Sequence, residues 1–320
     1  MTGKDVKKAA ELLSKGKLVA IPTETVYGLA ACIDNNEAIL SIFHAKNRPA
    51  FDPLIVHIAD LNWLDFLVSE IPEKAKRFME VVWPGPVTLL FRKSDQVSDL
   101  VTSGNPTVAI RFPSHPMSLE MLRLLGKPVA APSANPFGYV SPTEAAHVEN
   151  QLGEKVSYIL DGGPCRVGLE STIVSFVNEP VEVLRLGGMS LETLEKYLGE
   201  KPVLKISTHS NPQAPGQLDK HYATSASLIL SDDIIEDFLE NRQKLVGLIS
   251  FQNGYPDLAF AHREVLSPDG NADEAASRLF AAMRRLDESG VEVILAERFP
   301  DEGLGRAIND RLHRASHRKP

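Results

Sequence analysis

Cysteine is scarce: the 320 residues hold two, Cys32 and Cys165. Two thiols cannot build a disulfide framework, and these two lack zinc-ligand spacing, so a reducing cytoplasm is the expected setting. No run approaches the ~18 apolar residues of a membrane span. The opening residues, MTGKDVKKAAELLSKG, have no apolar core of a secretory signal. Positive charge is not in excess, since 34 Lys and Arg against 42 Asp and Glu leave a formal net charge of -8. That balance argues against a broad nucleic-acid face. The usual nucleotide cradles, G-x-G-x-x-G and G-x-x-x-x-G-K-[ST], are missing, as are H-E-x-x-H and G-x-S-x-G. The nine histidines are scattered, so no metal site is expected.

What is present is the profile of an ordinary globular protein, 43% hydrophobic and 24% charged. In residues 1–200, short apolar runs alternate with helical patterns, which predicts an α/β domain with many strands. KLVAIP, PLIVHI, VTLLF, TVAIRF, PVAAP, YILDG, STIVSF and VEVLRL read as strands. Helices are expected near 6–15, 36–46, 72–82, 115–126, 142–152 and 190–198. Residues 201–225 are polar and carry prolines, and they read as a linker. In 226–320 the alternation resumes, with strands ASLILS, KLVGLIS and VEVILAE and helices at 232–243, 271–289 and 303–315. This predicts a smaller doubly wound, mostly parallel domain. Asn271 and Glu274 stand at capping-box positions.

Five polar clusters fall at strand ends, where α/β sheets bind ligands. In IPTETVYG, Thr23 and Thr25 follow a strand, and satisfied hydroxyls at a turn explain them as well as a ligand does. In KNRPAFDPLIVHI, Lys46 offers phosphate a point charge and Arg48 a two-pronged fork. Pro49 and Pro53 stiffen that loop. A solvated Lys-Arg pair is the plainer reading, and His57, within an apolar strand, reads first as a satisfied core histidine. In TVAIRFPSHP, Arg111 ends a strand and needs an anion, which a protein or a substrate carboxylate supplies equally well. Ser133, Asn135 and Ser141 lie in a proline-stiffened loop, and Pro142 suits the N1 position of the next helix, whose N-terminus would attract an anion. Around Gly162, Gly163 and Gly168, Ser171 opens a strand and Arg185 ends one. Arg166 is expected in solvent.

In chain order, PTETVYGL, KNRPAFDPLIVHI, WPGPVTLL, VAIRFP, PSANPFGYVSPT, DGGPCRVGLESTIV and RLGG resemble the YrdC-like family. Seven motifs in register are far more specific than any one of them. APGQLDKHYA and LFAAMRRLDESGVEVILAERFPDEGLGRAINDRLHRA resemble the extra domain of the family's longer members, so the resemblance spans nearly the whole chain. It implies a twisted mixed sheet with flanking helices, followed by a Rossmann-like domain.

The resemblance also implies a nucleotidyltransferase. L-threonine, bicarbonate and ATP, the last with Mg²⁺, would give threonylcarbamoyl-AMP and pyrophosphate. A downstream threonylcarbamoyl transferase would then modify the tRNA adenosine beside the anticodon, so contact with tRNA is expected to be indirect. Position by position, Lys46 and Arg48 match phosphate contacts and are the expected catalytic residues. Thr23, His57, Arg111 and Ser171 match threonine contacts. Thr107, Ser133, Asn135, Ser141 and Arg185 match nucleotide-side positions. His221 and Tyr222 match a linker segment that folds over the nucleotide in longer members.

Two positions depart from the family. Asp52 stands where N-P-L-I-V-H is usual, and a carboxylate there repels ATP unless it is paired or metal-bound. Thr224 replaces the proline of H-Y-A-P, which leaves the lid less rigid. No general base is evident. Two other classes fit less well. An RNA-binding module is opposed by the net charge. A carbamoyl-phosphate-processing carbamoyltransferase is opposed by the lack of zinc-finger cysteines.

Overall fold

In the computed structural model, which describes residues 1–206, 212–216 and 221–316, local signals start the helices. The Asp5 carboxylate accepts from Lys8 N–H and caps the helix Val6–Ser14. Asn35 caps Asn36–Lys46 in the same way, accepting from Ala38 N–H at 3.0 Å. Val6–Ser14 and Pro116–Leu125 pack their apolar stripes onto one sheet, burying Ala9, Leu13, Val19, Ile21, Met121 and Leu122. Each such large aliphatic side chain contributes roughly 1.5–3 kcal/mol.

The strands are β1 Thr2–Gly3, β2 Val19–Ile21, β3 Gly28–Cys32, β4 Ile55–His57, β5 Val87–Arg92, β6 Thr107–Arg111, β7 Val129–Ala130 and β8 Tyr158–Leu160. They continue with β9 Thr172–Ser175, β10 Glu182–Arg185, β11 Val203–Leu204, β12 Ser227–Ser231, β13 Val246–Ser250, β14 His262–Val265 and β15 Val293–Glu297. The chain forms two compact units. The first comprises Met1–Phe137, Ser141–Arg166 and Glu170–Leu218, and the second Gly138–Val140, Val167–Leu169 and Asp219–Pro320.

The first unit carries an 11-stranded mixed sheet in the order β1-β8-β2-β3-β7-β4-β6-β5-β9-β10-β11. This is the mixed α/β sheet expected. Its end strand β11 pairs with β10 inside the stretch read as linker. The rest of that stretch, 201–225, includes residues 207–211 and 217–220, which lie outside the described residues. The second unit carries a four-stranded parallel sheet in the order β12-β15-β13-β14.

Three local expectations are corrected. The helix after Pro142 begins only at Ala145 with Glu144 as its cap, so Pro142 is not its first residue. Its carbonyl instead accepts from Tyr27 N–H at 2.8 Å. The capping box at Asn271 becomes a relay. Asn271 caps the helix Ala272–Glu288, its N–H donates to Ser267 Oγ (2.8 Å), and Ser267 donates to Glu274 Oε2 (2.6 Å). β3 was not expected as a strand at all. Among the described residues no helix is long and apolar enough to cross a membrane.

Candidate active site

Pairing register brings one set of side chains to a common edge. His57, the last residue of β4, pairs with Arg111, the last of β6. Arg111 pairs across with Thr88 on β5, Thr88 with Ile173 on β9, and Ile173 with Arg185, the last of β10. Directly paired residues share a sheet face. The Thr88 and Ser171 hydroxyls are 2.7 Å apart, and Arg185 donates to Ser171 Oγ at 3.1 Å and Ser171 O at 3.0 Å. Gly187 permits this closure, since a Cβ there would lie 2.2 Å from Glu170 O. Ser141 donates to Glu170 at 2.6 Å in the same loop pair.

At the other end of this row stands a buried ion pair. Arg111 Nη2 donates to Glu24 Oε1 at 2.8 Å, and Ser114 N–H donates to Glu24 Oε2 at 3.0 Å. Thr23 Oγ1 is 3.5 Å from Arg111 Nη2 and donates to Val26 O at 2.6 Å. The anion that Arg111 requires is thus a protein carboxylate. Burial works to raise the Glu24 carboxyl, but Arg111 and the N–H groups around it bring it below the usual carboxylate range. His57 Nδ1 faces Ile55 O at 3.2 Å. Burial first, then the Arg111 charge, pushes its pKa from 6.5 to about 3.

Lys46 ends its helix, and Asn47 follows in the left-handed region with φ 52°. The ammonium donates to the carbonyls of Ser133 (2.5 Å) and Asn135, and Phe137 N–H returns to Lys46 O at 2.8 Å. One of its three donors is left over. Arg48 Nε donates to Asp52 O (3.0 Å) and Nη2 to Pro53 O (2.7 Å), with Asp52 Oδ2 at 2.9 Å. Both cations are buried, so the solvated-pair reading is overturned. They pin two loops. Burial, then the Arg48 charge, holds the Lys46 ammonium well below the ordinary lysine value. The Asp52 carboxyl is pushed up by burial against the pull of Arg48, Lys46 and Arg185. Asp52 is therefore paired, though its Oδ1 is buried without a partner.

Thr107 does not join the edge. It opens β6, four residues before Arg111, about 13 Å away at the usual strand rise. Its hydroxyl is buried and unpartnered. Arg166 is exposed as expected. Among the described residues no group of three His, Cys, Asp or Glu side chains is placed to hold a metal ion. One orphaned oxygen of Asp52 is too little to cage a resident ion.

A family model described as telomere recombination, for the Sua5, YciO and YrdC proteins, matches residues 11–187. The chain belongs to this family. A second model, described as the C-terminal domain of threonylcarbamoyl-AMP synthase, matches residues 189–317. A Pyrococcus abyssi protein named threonylcarbamoyl-AMP synthase is 41% identical over 325 residues, covering 97% of this chain and 94% of its own length. A Bacillus subtilis protein of the same name is 40% identical over 320 residues, covering 97% and 92%. The crystal structure of P. abyssi Sua5 complexed with L-threonine superposes with a TM-score of 0.92 at 38% identity, covering 99% of this chain and 97% of that one.

In this Sua5/YciO/YrdC chain, motif reading passed over Glu24, Thr88 and Glu170. Asking which carboxylate balances Arg111 was the one signal that pointed toward Glu24. His221 and Tyr222 lie in the second unit. Tyr222 is buried there, stacked on Phe280 with centroids 5.3 Å apart, and the Arg311 guanidinium lies 5.2 Å from its ring. Thr224 donates to Ala226 O at 2.8 Å, a bond within its own turn.

Proposed function

We propose that this chain is a threonylcarbamoyl-AMP synthase: it joins L-threonine, bicarbonate and ATP into threonylcarbamoyl-AMP, releasing pyrophosphate and water. The observation that carries the reading is similarity over nearly the full length of both chains to proteins bearing that name. The polar edge of the first unit supplies the chemistry. In the reaction the deprotonated threonine nitrogen bonds to the bicarbonate carbon while a carbon–oxygen bond breaks, and that oxygen leaves with an amine proton as water. A carbamate oxygen then attacks the α-phosphorus while the bond to pyrophosphate breaks. The protein's task is to neutralise phosphate charge and to align three reactants.

In this reading Arg111, Thr23, His57 and Ser171 hold threonine. Its carboxylate meets the remaining donors of Arg111, and its nitrogen is left pointing at the incoming carbon. Lys46 and Arg48 meet phosphate oxygens with the donors their loops leave over. Ser133, Asn135, Ser141 and Arg185 frame the nucleotide, with Thr107 farther along the strand. Mg²⁺ enters as part of the MgATP substrate, its ligands mainly phosphate oxygens and water. His221 and Tyr222 belong to a lid that shields the water-sensitive mixed anhydride. The product passes to a transferase that modifies tRNA, so this chain does not bind tRNA directly, and it works in the cytoplasm.

The test incubates the protein with MgATP and follows pyrophosphate. Release should require threonine and bicarbonate together. Release with neither, or with serine as readily as threonine, would refute the assignment. Replacing the linker, residues 201–225 with His221 and Tyr222, by a Gly-Ser segment of equal length should cut product yield, and unchanged yield would remove the lid from the mechanism.

A further inference from the structure

We propose that Glu24 makes the amino-acid site selective for a zwitterion, cancelling the charge of Arg111 and facing the substrate's ammonium group. The inference rests on the reading of the Arg111 corner as the threonine site.

Glu24 and Arg111 are each 4% exposed in their side chains and meet at 2.8 Å. Neither is saturated. Arg111 Nε is buried and has no partner, and such a donor is expensive to leave unmatched. The Glu24 carboxylate accepts from Arg111, from Ser114 N–H and from its own backbone N–H, whereas a carboxylate has about four acceptor sites. One unused donor on the cation and unused acceptor capacity on the anion therefore lie side by side. The other ionisable groups that bear on the pair are His57, Cys165 and His115. Burial keeps both imidazoles neutral near pH 7 and pushes the Cys165 thiol up, so it is neutral too.

The corner is thus a buried site of zero net charge containing one charge of each sign. A ligand with a lone carboxylate would leave an uncompensated buried anion, and one with a lone ammonium an uncompensated cation. An α-amino acid adds one of each and leaves the balance unchanged. Glu24 also fixes the nitrogen that must become the carbamate.

Calorimetric titration tests this with L-threonine, with 3-hydroxybutyrate (which lacks the amine) and with L-threoninamide (which lacks the carboxylate). In the wild type both single-charge analogues should bind about tenfold or more weaker than threonine, and within about threefold of each other. In Glu24→Gln the corner becomes a net cation. Threonine should weaken about tenfold while 3-hydroxybutyrate tightens about tenfold. General damage to the site would weaken both, and that result overturns the proposal. Should Glu24→Gln fail to fold, the wild-type ranking decides: a preference of more than about tenfold for 3-hydroxybutyrate over threoninamide overturns it. Wild-type protein that binds no threonine would sink the threonine-site reading itself, a separately visible outcome.

Discussion

At the scale of residues, His57 is neutral in the folded chain because burial depresses its pKa to about 3. Unfolded, it titrates near 6.5. Between those values the unfolded state binds more protons, so the His57 contribution is complete above pH 6.5 and is lost as pH falls toward 3. Glu24, with its carboxyl lowered, adds a further loss at lower pH, below its usual 4.5. In urea denaturation, His57→Gln should flatten the fall in stability between pH 6.5 and 4 by up to about 1.4 kcal/mol per pH unit. An unchanged slope would show that the imidazole is not the titrating group. Arg111→Met leaves Glu24 buried and unpaired and should destabilise the fold by about 3–5 kcal/mol at pH 7. Candidate cations and hydroxyls were legible because their residue types announce phosphate and carboxylate chemistry. Glu24 was not, because a glutamate between two threonines defaults to solvent, and its partner is 87 residues away in sequence.

At the scale of elements, the site is built by register more than by any single motif. Thr88, in the middle of that row, links the Arg111 pair to Ser171 and Arg185. Thr88→Val keeps the shape and removes the link, so it should lower stability by about 1 kcal/mol and raise the KM for threonine more than that for ATP. Lys46→Met removes the donor shared by the Ser133 and Asn135 carbonyls. Thermal denaturation should show a loss of about 1–3 kcal/mol per carbonyl left buried and unpaired. Most strands were readable because they are short apolar runs rich in Val, Ile and Leu. β3, Gly-Leu-Ala-Ala-Cys, was not, since Gly and Ala are depleted in strands. It forms because it lies fully buried between β2 and β7, both antiparallel to it. β14, His-Arg-Glu-Val, escaped notice for the opposite reason: it is a polar edge strand, paired among the described residues with β13 alone.

At the scale of the whole molecule, charge separates interior from exterior. The chain is acidic overall, yet Lys46, Arg48, Arg111 and Arg185 are all buried in the first unit. An exterior of that sign should repel polyanions, so no salt-dependent binding of tRNA is expected in gel-shift assays near physiological ionic strength. The role of the second half was the least legible part of the sequence, because its strand-helix alternation carries no binding motif. Its packing is more informative. The second unit takes in Gly138–Val140 and Val167–Leu169. Tyr139 bridges to Ala223, its hydroxyl bonds Asp287, and Arg284 reaches Val140 O. A Cβ on Gly168 would lie 2.4 Å from the Ser277 Cα. The backbone therefore crosses between units at Phe137–Gly138, Val140–Ser141, Arg166–Val167 and Leu169–Glu170, well before the connecting stretch. The halves are laced, so a single cut cannot part them. With a protease site engineered after Ile206, the two severed pieces should travel as one species through gel filtration and separate only in denaturant.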